Sequence, residues 1–277
     1  MTTSVAVVGA TGKLGSLTCS LLEASEEFDL VARLGSRSDP REMLAADVVV
    51  DMTLPAVSQQ IVDLAVANGR KVLVGTSGWT GDRIAALRRS VDAQPGAGVV
   101  IIPNFSLGSV LATALSTVAA RFFDAVEIIE THGARKVDSP SGTAVRTAEL
   151  LLRARAELGP VQAPHTDQRA RGQQVASVPV HSLRLPGVEA RQEVVFGGTG
   201  ETVTIRHDTT SSASYEAGIL RALHAVRSTT GVVVGLDALI DLRAAFDAAP
   251  LAEQVREEPA ISDDAPSGQA AAATSTP

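Results

Sequence analysis

A histidine and a lysine four residues apart, His132 and Lys136, stand just ahead of the turn Pro140-Ser141-Gly142-Thr143. The histidine can take or give a proton near neutral pH, and the lysine carries a positive charge with a transferable proton. Ser141 to Ala144 reads as a helix start, where free N–H groups and the positive end of the dipole favour an anion. The N–H and hydroxyl groups of Ser141, Gly142 and Thr143 can therefore hold a carboxylate beside the His/Lys pair. The chemistry implied is proton transfer on a small acidic substrate. A lone histidine ending an apolar strand is more often structural; the lysine and the anion cradle make a site of this one.

A second chemical segment opens the chain. The strand-like run Val5-Ala6-Val7-Val8 enters Gly9-Ala10-Thr11-Gly12-Lys13-Leu14-Gly15. Glycines at these three positions allow a tight turn, close approach to a pyrophosphate, and close helix–strand packing, with the phosphate at the helix N-terminus. The end of the next strand offers Arg33 and Arg37 before the first acid, Asp39. An acid at that position would accept from the ribose hydroxyls of NAD, whereas arginines suit a 2′-phosphate. NADPH is the expected cofactor, with NADH possible. Later strands close in Gly75-Thr76-Ser77 and in Ile102-Pro103-Asn104-Phe105, suited to nicotinamide and its ribose. Together the two segments imply a nicotinamide-dependent reductase.

These residues need a scaffold, and the first hundred positions alternate apolar strand candidates (5–8, 29–34, 47–51, 71–74, 99–102) with helices. That is a parallel sheet wound in βαβ units, a Rossmann-like α/β fold with ligands at the strands' carboxyl ends. After Gly108 the pattern becomes α+β: a helix, the strand Ala125–Thr131, a helix from Ser141, then strand-like runs 177–185, 189–196 and 201–206. The short turns between the last three suggest an antiparallel meander in a mixed or antiparallel sheet. Helices at 214–226 and 235–248 are expected to close the fold. The expected division is a dinucleotide-binding domain at 1–107, completed by the helices in 214–248, and a substrate and assembly domain at 108–213. From 249 to 277 the chain is Ala-, Ser-, Glu- and Pro-rich, which reads as a disordered tail. It contains an echo of the central motif, Asp264-Ala265-Pro266-Ser267-Gly268, with no His or Lys.

Composition narrows the field. At 277 residues and 45% hydrophobic, the chain can bury a real core, and with 3% aromatics that core must be aliphatic. A formal charge of −7 argues against nucleic acid, and the single cysteine excludes a disulfide or a Cys-based zinc site. No apolar run reaches the ~20 residues of a membrane span, and no leader-like segment precedes the first strand, so a cytoplasmic protein without a metal is expected.

From Val5 to about Leu242 the sequence resembles bacterial 4-hydroxy-tetrahydrodipicolinate (dihydrodipicolinate) reductases. The resemblance rests on Gly9–Gly15, Asp51-Met52-Thr53-Leu54-Pro55, Gly75–Gly78, Pro103-Asn104-Phe105, Glu130–Ala144, His181–Gly187, Glu193–Gly197 and Gly200–Asp208. It implies that His132 is the acid/base residue, that Lys136 is the proton donor, and that Ser141, Gly142 and Thr143 hold a substrate carboxylate. It implies hydride transfer from nicotinamide to a cyclic imine dicarboxylate, and a homotetramer built through the second domain's sheet. Two departures stand out. The family carries two consecutive histidines where this chain has His132-Gly133, so one carboxylate donor is missing unless Arg135 or a water replaces it. The stretch Thr209–Tyr215 also lacks the family's Asp-Arg pair. A paralogue reducing another cyclic imine or oxo acid, or a non-catalytic nucleotide sensor, are the alternative readings.

Overall fold

The valine-rich runs at 5–8, 48–50 and 99–101 are buried on both faces, which only a sheet covered by helices on each side provides. The computed structural model describes residues 2–94, 96–242 and 244. In chain order its first half holds β1 (Thr3–Val8), α1 (Lys13–Glu23), β2 (Phe28–Leu34), β3 (Val48–Asp51), α2 (Pro55–Ala67), β4 (Lys71–Val74), α3 (Gly81–Asp92) and β5 (Gly98–Ile101). There follow α4 (Leu107–Ala119), β6 (Ala125–His132), α5 (Gly142–Ala154), β7 (Gln173–Val175), β8 (Val178–Arg184), β9 (Ala190–Gly198), β10 (Glu201–Thr209), α6 (Glu216–Ser228) and β11 (Gly231–Val234).

The first sheet has six parallel strands in the order β11-β5-β4-β3-β1-β2. Alternation sorts its side chains. Ala6, Val8, Val49, Val72, Val99 and Ile101 meet Ile61 and Val62 of α2 and Leu87 and Val91 of α3. Val5, Val7, Val48, Val50 and Val100 meet Cys19 and Leu22 of α1 and Ile219 and Leu223 of α6. The strand β11 was not expected: Val232-Val233-Val234 extends the sheet beside β5, and a short 3-10 turn, Leu236–Leu239, stands where the helix at 235–248 was expected to start. Three consecutive valines favour the extended state, and an open sheet edge supplies their hydrogen bonds.

The second sheet is mixed, with five strands in the order β10-β9-β6-β8-β7. It corrects the expected meander. Of the three runs only the last two pair, β9 and β10 as a hairpin, while β8 forms a hairpin with β7; β6 lies between β8 and β9, parallel to the first and antiparallel to the second. Val126 and Ile128 of β6 sit wholly inside the core with Val180, Val194 and Phe196, packed under Ala144, Ala148 and Leu151 of α5. An apolar strand gains most at the centre, where both neighbours cover it, so sequence adjacency of β8 and β9 does not make them partners.

Residues Met1–Ile240 form one compact unit. No described helix is long and apolar enough to cross a membrane. The expected tail at 249–277, including the echo at Asp264–Gly268, lies outside the described residues.

Candidate active site

The carboxyl ends of β1, β4 and β5 face the ends of β6, β9 and β10 across a cleft of about 190 Å³. Leu14, Gly75, Pro103, Asn104 and Phe105 line it from the parallel sheet, and His132, Ser141, Thr143, Ala190, Gln192, His207 and Thr209 from the mixed one. Segments more than a hundred residues apart thus meet in one place. The strands β9 and β10 carry blocks of the family resemblance, but the motifs assigned no site role to their wall residues Ala190, Gln192, His207 and Thr209.

The glycine-rich turn fits a dinucleotide on geometric grounds. Gly9 has φ +83°, and a Cβ there would lie 2.3 Å from Met52 O. A Cβ on Gly15 would lie 2.0 Å from Gly9 O, so helix and turn touch through backbone. Gly12 caps α1 with no side-chain hydrogen bond, which leaves the first N–H groups of Lys13, Leu14 and Gly15 open to an anion. The ammonium of Lys13 meets Glu189, just ahead of β9. Ala10 N–H donates to Leu34 O, tying the turn to β2, and Thr11 is exposed beside it.

The two arginines differ. The Arg33 guanidinium is paired with Glu23, the last residue of α1, whereas Arg37 is exposed in the loop beyond β2. Asp39 is committed to that loop, its carboxylate accepting from Arg41 N at 2.9 Å. Among the other expected cofactor residues, Thr76 is buried and accepts from Thr53 N at 2.9 Å, bracing the turn after β3. Ser77 is exposed outside the cleft wall, and Ile102 lies wholly in the core, so its side chain cannot reach a ligand. Asn104 accepts from Ser106 N at 2.9 Å and donates to Ser109 Oγ at 3.0 Å, fixing the start of α4.

On the opposite wall, Ser141 caps α5 by accepting from Ala144 N at 3.2 Å, and its own N–H donates to Glu130. Ser141 is therefore internally engaged, and the free N–H groups of the first turn are those of Gly142 and Thr143. A Cβ on Gly142 would meet nothing within 4 Å, so the space before the cradle is open. Lys136 is turned to Asp138, at 2.7 Å, beside the cleft rather than in its wall. That contact holds the Asp138 carboxyl below the usual carboxylate range. Gly133 faces Val188 O, which would lie 3.1 Å from a Cβ. Arg135, expected as a replacement donor, is exposed and does not line the cleft.

The least expected feature is Glu130, fully buried one turn of the pleat before His132. It accepts from His132 Nδ1 at 2.5 Å and from both terminal nitrogens of Arg184, at 3.0 and 2.9 Å. Burial would raise its carboxyl, but the hydrogen bonds, led by Arg184, outweigh that and hold it below its ordinary value. Removing one partner of such a buried pair costs about 3–5 kcal/mol. Burial lowers His132 below the ordinary imidazole value and outweighs the opposite pull of Glu130. The alternation of Glu130 and His132 was a readable signal; the partner Arg184, on another strand, was not.

Fold and cleft define a class: Rossmann-like α/β reductases in which a mixed sheet meets the ends of a six-stranded parallel sheet. The model for the N-terminal part of dihydrodipicolinate reductase matches residues 3–105, and that for its C-terminal part matches 108–240. A 4-hydroxy-tetrahydrodipicolinate reductase of Clavibacter michiganensis subsp. michiganensis is 62% identical over 276 residues, covering 99% of this chain and 100% of the relative. One from Streptomyces coelicolor is 45% identical, covering 86% of this chain and 98% of the relative. The dipicolinate-bound dihydrodipicolinate reductase of Paenisporosarcina sp. TG-14 superposes with a TM-score of 0.73 at 28% identity, covering 87% of this chain and 100% of that one. The chain belongs to the dihydrodipicolinate reductase family.

Proposed function

We propose that this chain reduces 4-hydroxy-tetrahydrodipicolinate to tetrahydrodipicolinate, in the route to diaminopimelate and lysine, with NADPH as the preferred cofactor. The observation that carries the reading is the single cleft in which His132 and the α5 cradle face the end of the glycine-rich turn. Residues 1–107, completed by the elements after 214, serve the dinucleotide, and 108–213 the substrate and assembly. The turn Gly9–Gly15 and Arg37 would hold NADPH, which when bound would supply a hydride for ring C4 once the 4-hydroxyl has left as water. Gly142 and Thr143 bind one substrate carboxylate through their N–H groups and the dipole of α5. His132 holds or moves the proton at its cleft-facing nitrogen. Lys136, released from Asp138 by the incoming dianion, donates the proton that completes reduction. The long exposed edge of β10 supports a homotetramer joined through the mixed sheet. Consumption of NADPH with freshly generated 4-hydroxy-tetrahydrodipicolinate, and light-scattering mass, test activity and assembly; no turnover with this substrate would overturn the assignment.

The cofactor preference has a sharper test. Arg37→Ala should raise the KM for NADPH by about ten- to a hundredfold, the value of a charge-assisted hydrogen bond, and leave NADH unaffected. Arg33→Ala should do less, because Glu23 already holds that guanidinium. A parent enzyme that prefers NADH would sink the preference.

Gly133 bears on substrate choice. Gly133→His should tighten dipicolinate binding if a carboxylate donor is missing, provided Val188 O gives by a few tenths of an ångström from the 3.1 Å contact. Calorimetry with dipicolinate reads this directly. Unchanged affinity would favour a pocket built for another cyclic imine or oxo acid.

A further inference from the structure

We propose that the buried Glu130–Arg184 pair is the positioning device of the site: Glu130 sets the ring and tautomer of His132 and locks the α5 cradle, while Arg184 anchors the Lys136 loop to the same point. The proposal rests on the reading of His132 and Lys136 given above.

A carboxylate offers about four lone-pair sites, and those of Glu130 are all used. Oε2 accepts from His132 Nδ1 and Arg184 Nη1; Oε1 accepts from Ser141 N and Arg184 Nη2. With Nδ1 donating to Glu130, Nε2 is the nitrogen left for the cleft, an acceptor in the neutral ring and a donor in the charged one. Arg184 Nη2 also donates to Asp138 O at 2.6 Å, and the Asp138 carboxylate holds Lys136. One buried anchor therefore reaches the histidine, the anion cradle and the lysine loop. Stability does not account for it, since apolar residues of similar volume are often as stable as a buried ion pair.

The charged groups facing His132 are Glu130 on its own strand, Arg184 from β8 and Lys136 from the loop, with Arg191 of β9, itself paired with Asp208, and His207 of β10 and Tyr215 lining the same cleft. Arg184 and Lys136 already disfavour the imidazolium. Without Glu130 they act unopposed, so the His132 pKa must fall.

The test combines ¹⁵N histidine NMR of the unliganded full chain with pH profiles of kcat and kcat/KM. In the parent, neutral His132 should carry its proton on Nδ1; an Nε2–H tautomer there would overturn the proposal without any variant. In Glu130→Gln the pKa should fall and the tautomers mix. The acidic limb of the profile should move to lower pH, and kcat should drop by about 10²-fold or more. Dinucleotide affinity should stay the same. Glu130→Gln/Arg184→Met removes both charges, so neither is left alone in the core, and it should keep the fold and the tautomer defect. A folded double variant with the parent tautomer and pH profile would reduce the pair to a structural role. The NMR readout needs no substrate, so it stands even if the parent fails to reduce 4-hydroxy-tetrahydrodipicolinate.

Discussion

Lys136→Ala should lower turnover by about 10²–10⁴-fold, the span a positioned acid contributes, with dinucleotide binding unchanged. The loop itself should survive, because its turn is held by Lys136 N donating to Gly133 O at 3.0 Å rather than by the side chain. Asp138→Asn separates two roles. If Asp138 only parks the ammonium, its loss leaves kcat near the parent or raises it; if it aims the lysine, kcat falls. Stopped-flow hydride transfer at saturating substrate is the measurement of choice. A Lys136→Ala enzyme that keeps its kcat and loses only KM would make the lysine a ground-state carboxylate contact.

Gly15→Ala and Gly12→Ala should fail in different ways. The new Cβ at Gly15 meets Gly9 O at 2.0 Å, a backbone atom that cannot swing aside. Overpacking of this kind costs about 1–3 kcal/mol or more, which in a chain of this size lowers Tm by roughly 2–12 °C. At Gly12 the nearest neighbour of a Cβ is Gly9 O at 3.3 Å, and φ is −76°, open to any residue. Gly12→Ala should therefore melt close to the parent yet bind NADPH about tenfold or more weakly, because the lost space is the ligand's. Scanning calorimetry beside a fluorescence titration distinguishes them. Equal losses of Tm at both positions would mean that the turn, rather than the phosphate, needs Gly12.

Much of this protein was legible before its tertiary structure because the determining interactions are local. Alternating valines specify doubly covered strands, and β1, β3, β4 and β5 fall where the pattern puts them. The N-cap role of Ser141 and the first-turn position of Pro55 follow from short-range hydrogen bonding and a fixed φ. The long arbitrary blocks around Glu130–Ala144 and Gly200–Asp208 sufficed for the family.

What the sequence left open are choices between distant partners. Any of several neighbours could have flanked β6, and only packing of its apolar face under α5 put it between β8 and β9. Val232–Val234 became a strand because an edge of the parallel sheet was open to it. The same holds for charge. Arg33, expected to meet a cofactor 2′-phosphate, took Glu23; Lys136 took Asp138; Glu130 took Arg184, fifty-four positions away. Residue type and spacing decide which face a side chain presents and what chemistry it can do. Which other group it meets depends on strand order and helix placement, and these are settled by burial summed over the whole chain.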